Sequence, residues 1–261
     1  MIEAGPIQGE SALRGALAGF LAASGRGLLD ELKLTGSNMA VRLAFSTQPY
    51  GDGPAARKAG MNAVAKDIRR VFATPSSLYK SLENQDPKSA FAFWAAYRKS
   101  DQPAMERIIG KSKASQAEVM RVPDPAVHQA NRKSRGRVYL KHPRGLVLQR
   151  GAREEYIRQE QRKTGLTKAG WTKAADQLGG GSAVPTWASP KAHPNTSGGA
   201  TVYESQGEPV VTIRNTVPWV SDVLSGRAQD EAVRIAEERL MKRLDIILIE
   251  EAKRAGIDSP F

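Results

Sequence analysis

Val210-Val211-Thr212-Ile213-Arg214-Asn215-Thr216-Val217-Pro218-Trp219 is the stretch on which the reading of this 261-residue chain turns. Its first six residues alternate with a period of two, the pattern of a half-buried strand. The chain then turns at Asn215 to Trp219 and enters the longest helical pattern in the sequence, Gln229 to Ala255. Val233, Ala236, Leu240, Leu244 and Ile247 recur there at steps of three and four, a heptad-like seam. Asp230 and Glu231 stand in the first turn and Lys253 and Arg254 in the last, both favourable to the helix dipole. Gly256 is placed as a C-terminal cap. At ~1.5 Å per residue the helix spans about 40 Å, more than a small sheet needs for its own cover. The surplus predicts contact with another subunit.

Upstream, Thr201-Val202-Tyr203 pairs naturally with Val210 to Ile213 as a hairpin around Gln206-Gly207-Glu208. Residues 179 to 200, rich in Gly, Ser, Pro and Ala and containing Trp187, read as a long mobile loop. Before it, helices are expected from Glu154 to Lys163 and through Trp171 to Leu178. At the other end, Ser11 to Phe45 reads as one helix, or two hinged near Gly25 and Gly27. The turn formers Thr47 to Pro54 end it. Helices are then expected from Pro54 to Ala73, Lys88 to Lys99 and Pro103 to Gly110, with Phe91, Phe93, Trp94 and Tyr97 as core aromatics. The fold class that follows is α+β: a small, mostly antiparallel sheet packed by long N- and C-terminal helices, with an additional helical insertion. The expected divisions are 1–46, 47–124, 125–153 and 154–261.

The third division is set apart by charge. From Pro125 to Arg153 there is no acidic residue, while Arg132, Lys133, Arg135, Arg137, Lys141, Arg144, Arg150 and Arg153 supply eight of the formal charge of +12. With Pro143 and Gly145 between short apolar runs, an extended arm or irregular hairpin is expected. Unopposed cations repel one another unless a polyanion or an acidic protein surface neutralises them.

Enzyme constellations are missing from this reading. His128, His142 and His193 lie in basic or Pro-flanked loops without ligand spacing. Gly179-Gly180-Gly181 lacks the Lys-Ser or Lys-Thr of a phosphate loop. The chain has no cysteine, which removes disulfides and thiolate chemistry. Its most apolar window, Ala16 to Ala23, is far short of the ~20 residues of a membrane span. No catalytic residue, cofactor or metal is therefore expected, and the chain is read as a non-enzyme without a membrane partner.

The order Thr164-Gly165-Leu166-Thr167-Lys168-Ala169-Gly170-Trp171, a Gly-rich loop, Val211 to Val220 and a long final helix resembles the tail-completion, or minor tail protein Z, family of tailed bacteriophages. The likeness covers residues 160 to 255. Trp219 stands where tyrosine is commoner, and the block from 47 to 155 is longer than the usual spacer. Thr47 to Gly51, Asp67 to Val71 and Phe93-Trp94 are similar to larger members.

The resemblance implies a structural virion protein of the phage neck or tail, made in the host cytoplasm. It implies tail completion and head-to-tail joining by a homo-oligomeric ring around the DNA channel, of six copies or alternatively twelve. Neighbours would be a head connector or stopper and a tail-tube or terminator protein, with non-specific contact to genomic DNA a further partner. Trp171, Ile213, Asn215, Trp219, Leu240, Leu244 and Ile247 are expected in the module core or subunit interface. The eight cations from Arg132 to Arg153 are expected to meet an acidic neighbour or DNA. The alternative reading is a sequence-independent nucleic-acid-binding protein acting through the basic arm.

Overall fold

The computed structural model describes residues 28–112, 115–132, 140–180, 185–205 and 208–254. The expected helix before residue 28, Lys133, Arg135, Arg137, Gly181 and Gly256 lie outside them. In chain order the first helices are α1 (Leu28–Ser46), α2 (Pro54–Val71), α3 (Pro75–Glu83), α4 (Pro87–Arg98) and α5 (Gln102–Lys111). They are followed by α6 (Pro125–Asn131), α7 (Ala152–Gln161), α8 (Leu166–Gln177), α9 (Val220–Val223) and α10 (Gly226–Arg254). The strands are β1 (Phe72–Ala73), β2 (Glu118–Met120), β3 (Gly145–Val147), β4 (Gly198–Ser205) and β5 (Glu208–Asn215). The class is α+β.

The chain divides into two compact units, one of residues 1–57 with 165–261 and one of residues 58–164. In the second unit, four helices start with the same chemistry. Thr74, Asp86, Asp101 and Asp124 each accept from an otherwise orphaned first-turn N–H, and a proline follows one or two positions on. The side-chain oxygen satisfies a donor the helix cannot, and proline gives up an N–H that had no partner. At Thr74 the cap is reciprocal, because Ser77 Oγ also accepts from the Thr74 N–H.

Packed under these helices is a parallel sheet in the order β1-β3-β2. Its pairs run Phe72↔Gly145 and Ala73↔Leu146 on one side, and Glu118↔Gly145 to Met120↔Val147 on the other. Phe72, Leu146 and Val147 are buried almost completely. One core cluster joins Leu78, Leu82, Phe93, Met105, Ile109 and Leu146; another joins Ile68, Val71, Phe72, Val147 and Ile157. Of the expected aromatic core, Phe93 is buried, Trp94 at its edge meets Tyr79 edge-on and Tyr97 at a tilt, and Phe91 faces solvent at 76% exposure.

The described parts of the 125–153 segment, 125–132 and 140–153, therefore differ from the extended arm or irregular hairpin expected of them. Pro125–Asn131 is helical, Gly145–Val147 is the buried central strand, and Ala152 opens α7. The basic composition masked this, because the strand carries only three apolar residues between charged flanks. The compact unit also runs from Lys58 to Thr164, across the division expected at residue 124.

In the other unit the hairpin pairs eight residues per strand, from Gly198↔Asn215 to Ser205↔Glu208, longer than expected at both ends. It packs on α8 and α1, and α10 lies along α1. Arg243 on α10 reaches Glu31 on α1 with two hydrogen bonds, while Ala232 joins Leu43 and Ala44 in the core. These contacts run the two helices in opposite directions. Within the stretch expected as a mobile loop, Thr186–Ala188 forms a 3-10 turn.

Candidate assembly interface

α8 begins at a residue with no side chain to cap it. Gly165 holds φ 98°, in the left-handed region. A Cβ there would stand 2.9 Å from the Trp187 ring and 3.1 Å from His193 Nε2. Trp187 in turn donates its indole N–H to the Asp52 carbonyl at 3.0 Å. The glycine of the TG-L…W motif is thus required by the backbone and by what sits on it.

Farther along α8 the helix and hairpin touch backbone to backbone. A Cβ on Gly198 would lie 2.4 Å from the Gly170 carbonyl oxygen, and one on Gly170 would lie 2.8 Å from the Asn215 amide nitrogen. Asn215, 9% exposed, closes this junction. Its Nδ2 donates to the Thr167 carbonyl at 2.8 Å, and its Oδ1 accepts from the Val217 N–H at 3.2 Å. The corner at the end of β5 and the first turn of α8 are joined by a buried hydrogen bond across 48 positions of sequence.

The other expected core residues fall around this junction. Trp171 is buried with Leu43, Ala44, Leu224 and Ala232, and half-buried Ile213 packs against the same cluster. Trp219 is half-buried at the start of α9, Leu240 is half-buried, and Leu244 and Ile247 are buried on α10. All seven residues serve this unit's own packing to some degree. The surface left open to a partner lies elsewhere: Thr201, Val202 and Tyr203 on β4, and Met241, Ile246 and Ile249 on α10. An open groove lined by Lys173, Gln177, Thr201, Thr212 and Arg214 runs beside the hairpin. Among the described residues the hairpin has only two strands; the Ala200 N–H on the outer edge of β4 donates to Gln177 Oε1, and the edges beyond it have no strand partner, a template for another chain.

Lys168 is a site residue that periodicity gives no means of finding. It is 1% exposed, and its ammonium has no hydrogen-bond partner among the described residues. Burial drives its pKa down, and the Asp52 carboxylate opposes that shift. Trp171, one turn on, likewise buries its indole N–H without a partner.

The basic residues are not one surface. Arg144 donates to Gln116, and Arg153 binds Glu154 and the Phe72 carbonyl, so both brace the fold. Arg132 is half-buried at the end of α6, whereas Lys141 and Arg150 are exposed. His128, read as a loop residue, lies on α6 in a polar network. Its Nδ1 meets the Tyr156 hydroxyl at 3.0 Å, its Nε2 faces Asp67 Oδ2 at 3.4 Å, and Arg70 holds Asp67 at 2.8 Å. Burial, reinforced by Glu160 and Asp124, pushes the Tyr156 hydroxyl well above its ordinary pKa. The hydrogen bond between His128 Nδ1 and the Tyr156 hydroxyl, with Asp67 at the other ring nitrogen, ties α2, α6 and α7 together.

Among the described residues, no three His, Asp or Glu side chains group to hold a metal ion, and no helix is long and apolar enough to cross a membrane. Comparison of the chain with protein-family models, with curated proteins and with solved structures gives no match.

Proposed function

We propose that this chain is a structural virion protein of a phage neck or tail, completing the tail and joining it to the head as a homo-oligomeric ring. The observation that carries the reading is the Asn215–Thr167 junction. It binds the TG-L…W helix to the Asn-to-Trp corner, the two motifs that prompted the resemblance, within one compact unit. The exposed Tyr203 and Val202 on an open hairpin edge, and the exposed Ile246 and Ile249 on α10, supply apolar surface for copies of the chain to meet. In such a ring the hairpin and long helix make the subunit contacts, and the 58–164 unit faces a neighbouring protein or the DNA channel.

The test is native mass spectrometry of the purified chain, alone and after mixing with tail tubes. The expected species is a hexamer, or a dodecamer, that joins tubes, and Tyr203→Glu with Ile246→Glu shifts it to monomer. A strict monomer that never associates with particles or tubes overturns the reading.

A further inference from the structure

The charge of this protein is partitioned between its two units. Residues 58–164 carry 23 Lys and Arg against 10 Asp and Glu, a formal +13. The remaining residues carry 16 against 17, a formal −1. The eight cations of the 125–153 segment account for only part of that excess, and Arg132, Arg144 and Arg153 among them are already engaged within the fold.

Part of the rest lies on a built surface. On α2, Ala65, Ile68 and Val71 are buried, while Lys58, Lys66 and Arg69 are exposed along one flank of the helix. α7 lies alongside, joined at one end by the Arg69–Glu154 pair at 2.9 Å and at the other by Gln161 donating to the Met61 carbonyl at 2.9 Å. α7 buries Ile157 and exposes Arg158, with Arg162 exposed at its end. Glu154 and Glu155 offset Arg69 and Arg158, leaving Lys58, Lys66 and Arg162 as exposed cations that make no ion pair among the described residues.

We infer that the exposed faces of α2 and α7 form a sequence-independent binding surface for the phosphate backbone of nucleic acid. The inference goes beyond the assembly role and does not depend on it. A second copy of the chain offers no unit of net negative charge beyond −1, so no strongly anionic counterpart to this surface. From Lys58 to Arg69 the α2 row extends about 16 Å at ~1.5 Å per residue. Duplex DNA presents a charge about every 1.7 Å of its axis, so a row of cations at these spacings finds phosphates without a fixed register. An acidic protein must instead match this particular constellation, which makes nucleic acid the better fit.

The test uses the full-length chain and a labelled 30-base-pair duplex of random sequence, with binding read by fluorescence anisotropy between about 50 and 200 mM NaCl. Binding is expected to weaken about 100-fold over that range, as for about four phosphate contacts. The triple variant Lys58→Gln, Lys66→Gln, Arg162→Gln is expected to reduce the salt slope by about three, with circular dichroism unchanged. Lys141→Gln with Arg150→Gln is the comparison for the 125–153 segment. The inference is overturned if duplex does not bind or binds without salt dependence. It is overturned equally if the double variant abolishes binding while the triple variant leaves it intact, or if polyglutamate binds as tightly as duplex at the same salt. Because the readout needs no ring, its failure and the failure of the assembly reading are separate results.

Discussion

Gly198 and Lys168 illustrate opposite kinds of constraint around one helix. At Gly198 the space for a methyl group is already filled by the Gly170 backbone, which has no side chain to move aside. Gly198→Ala is expected to destabilise the unit by about 2 kcal/mol, as overpacking of a close contact does, lowering the urea midpoint. Gly226→Ala meets nothing within 4 Å and should leave the midpoint unchanged. At Lys168 the constraint is electrostatic. An ammonium held without a partner lowers stability, so Lys168→Met, of similar length, is expected to raise the urea midpoint at pH 7. The pH dependence follows from the direction of the shift. The folded-state pKa lies below the ordinary 10.5, so between the two values the unfolded chain binds more protons and stability climbs as pH rises. Unfolding titrations at pH 8 and pH 10 should show that climb in the native chain and its reduction in Lys168→Met. A lower midpoint for the methionine variant at both pH values would mean that the ammonium is satisfied after all. Neither residue was legible as special in sequence: a lysine among small helical residues looks solvated, and a glycine before a strand looks like loop.

At the scale of elements, legibility followed length more than capping. The final helix, expected from Gln229 to Ala255, runs from Gly226 to Arg254, because many turns of periodic apolar positions outweigh any single residue. The hairpin was placed correctly but read short, since its first strand opens on Gly198-Gly199-Ala200, none of them β-branched. α3 was missed although Thr74-Pro75 and Ser77 carry a full capping signature. Such caps have measurable weight: Asp86→Ala removes two first-turn acceptances on α4 and should cost about 1 kcal/mol by chemical denaturation, with Asp86→Asn largely retaining stability. The parallel sheet was not legible at all. Strands of two or three residues cannot display a period of two, and their pairing joins positions that lie 73 and 27 apart, Phe72 and Glu118 with Gly145.

For the molecule as a whole, local order of residues determined the α+β class, the long terminal helix, the hairpin and the cationic character. Each of these depends on spacing or composition within one segment, where helix and strand periods act directly. Tertiary structure alone decided the rest. It made the central part of the 125–153 segment a buried strand, because Gly145-Leu146-Val147 is paired on both sides by chain far away in sequence. It placed Asn215 on the Thr167 carbonyl, so that two distant motifs became one junction. It also sorted the cations of the basic stretch 58–164 into those that brace the fold and those left facing water. Charge is additive along a chain, but whether a given arginine holds a carbonyl or awaits a phosphate depends on which atoms folding brings within reach.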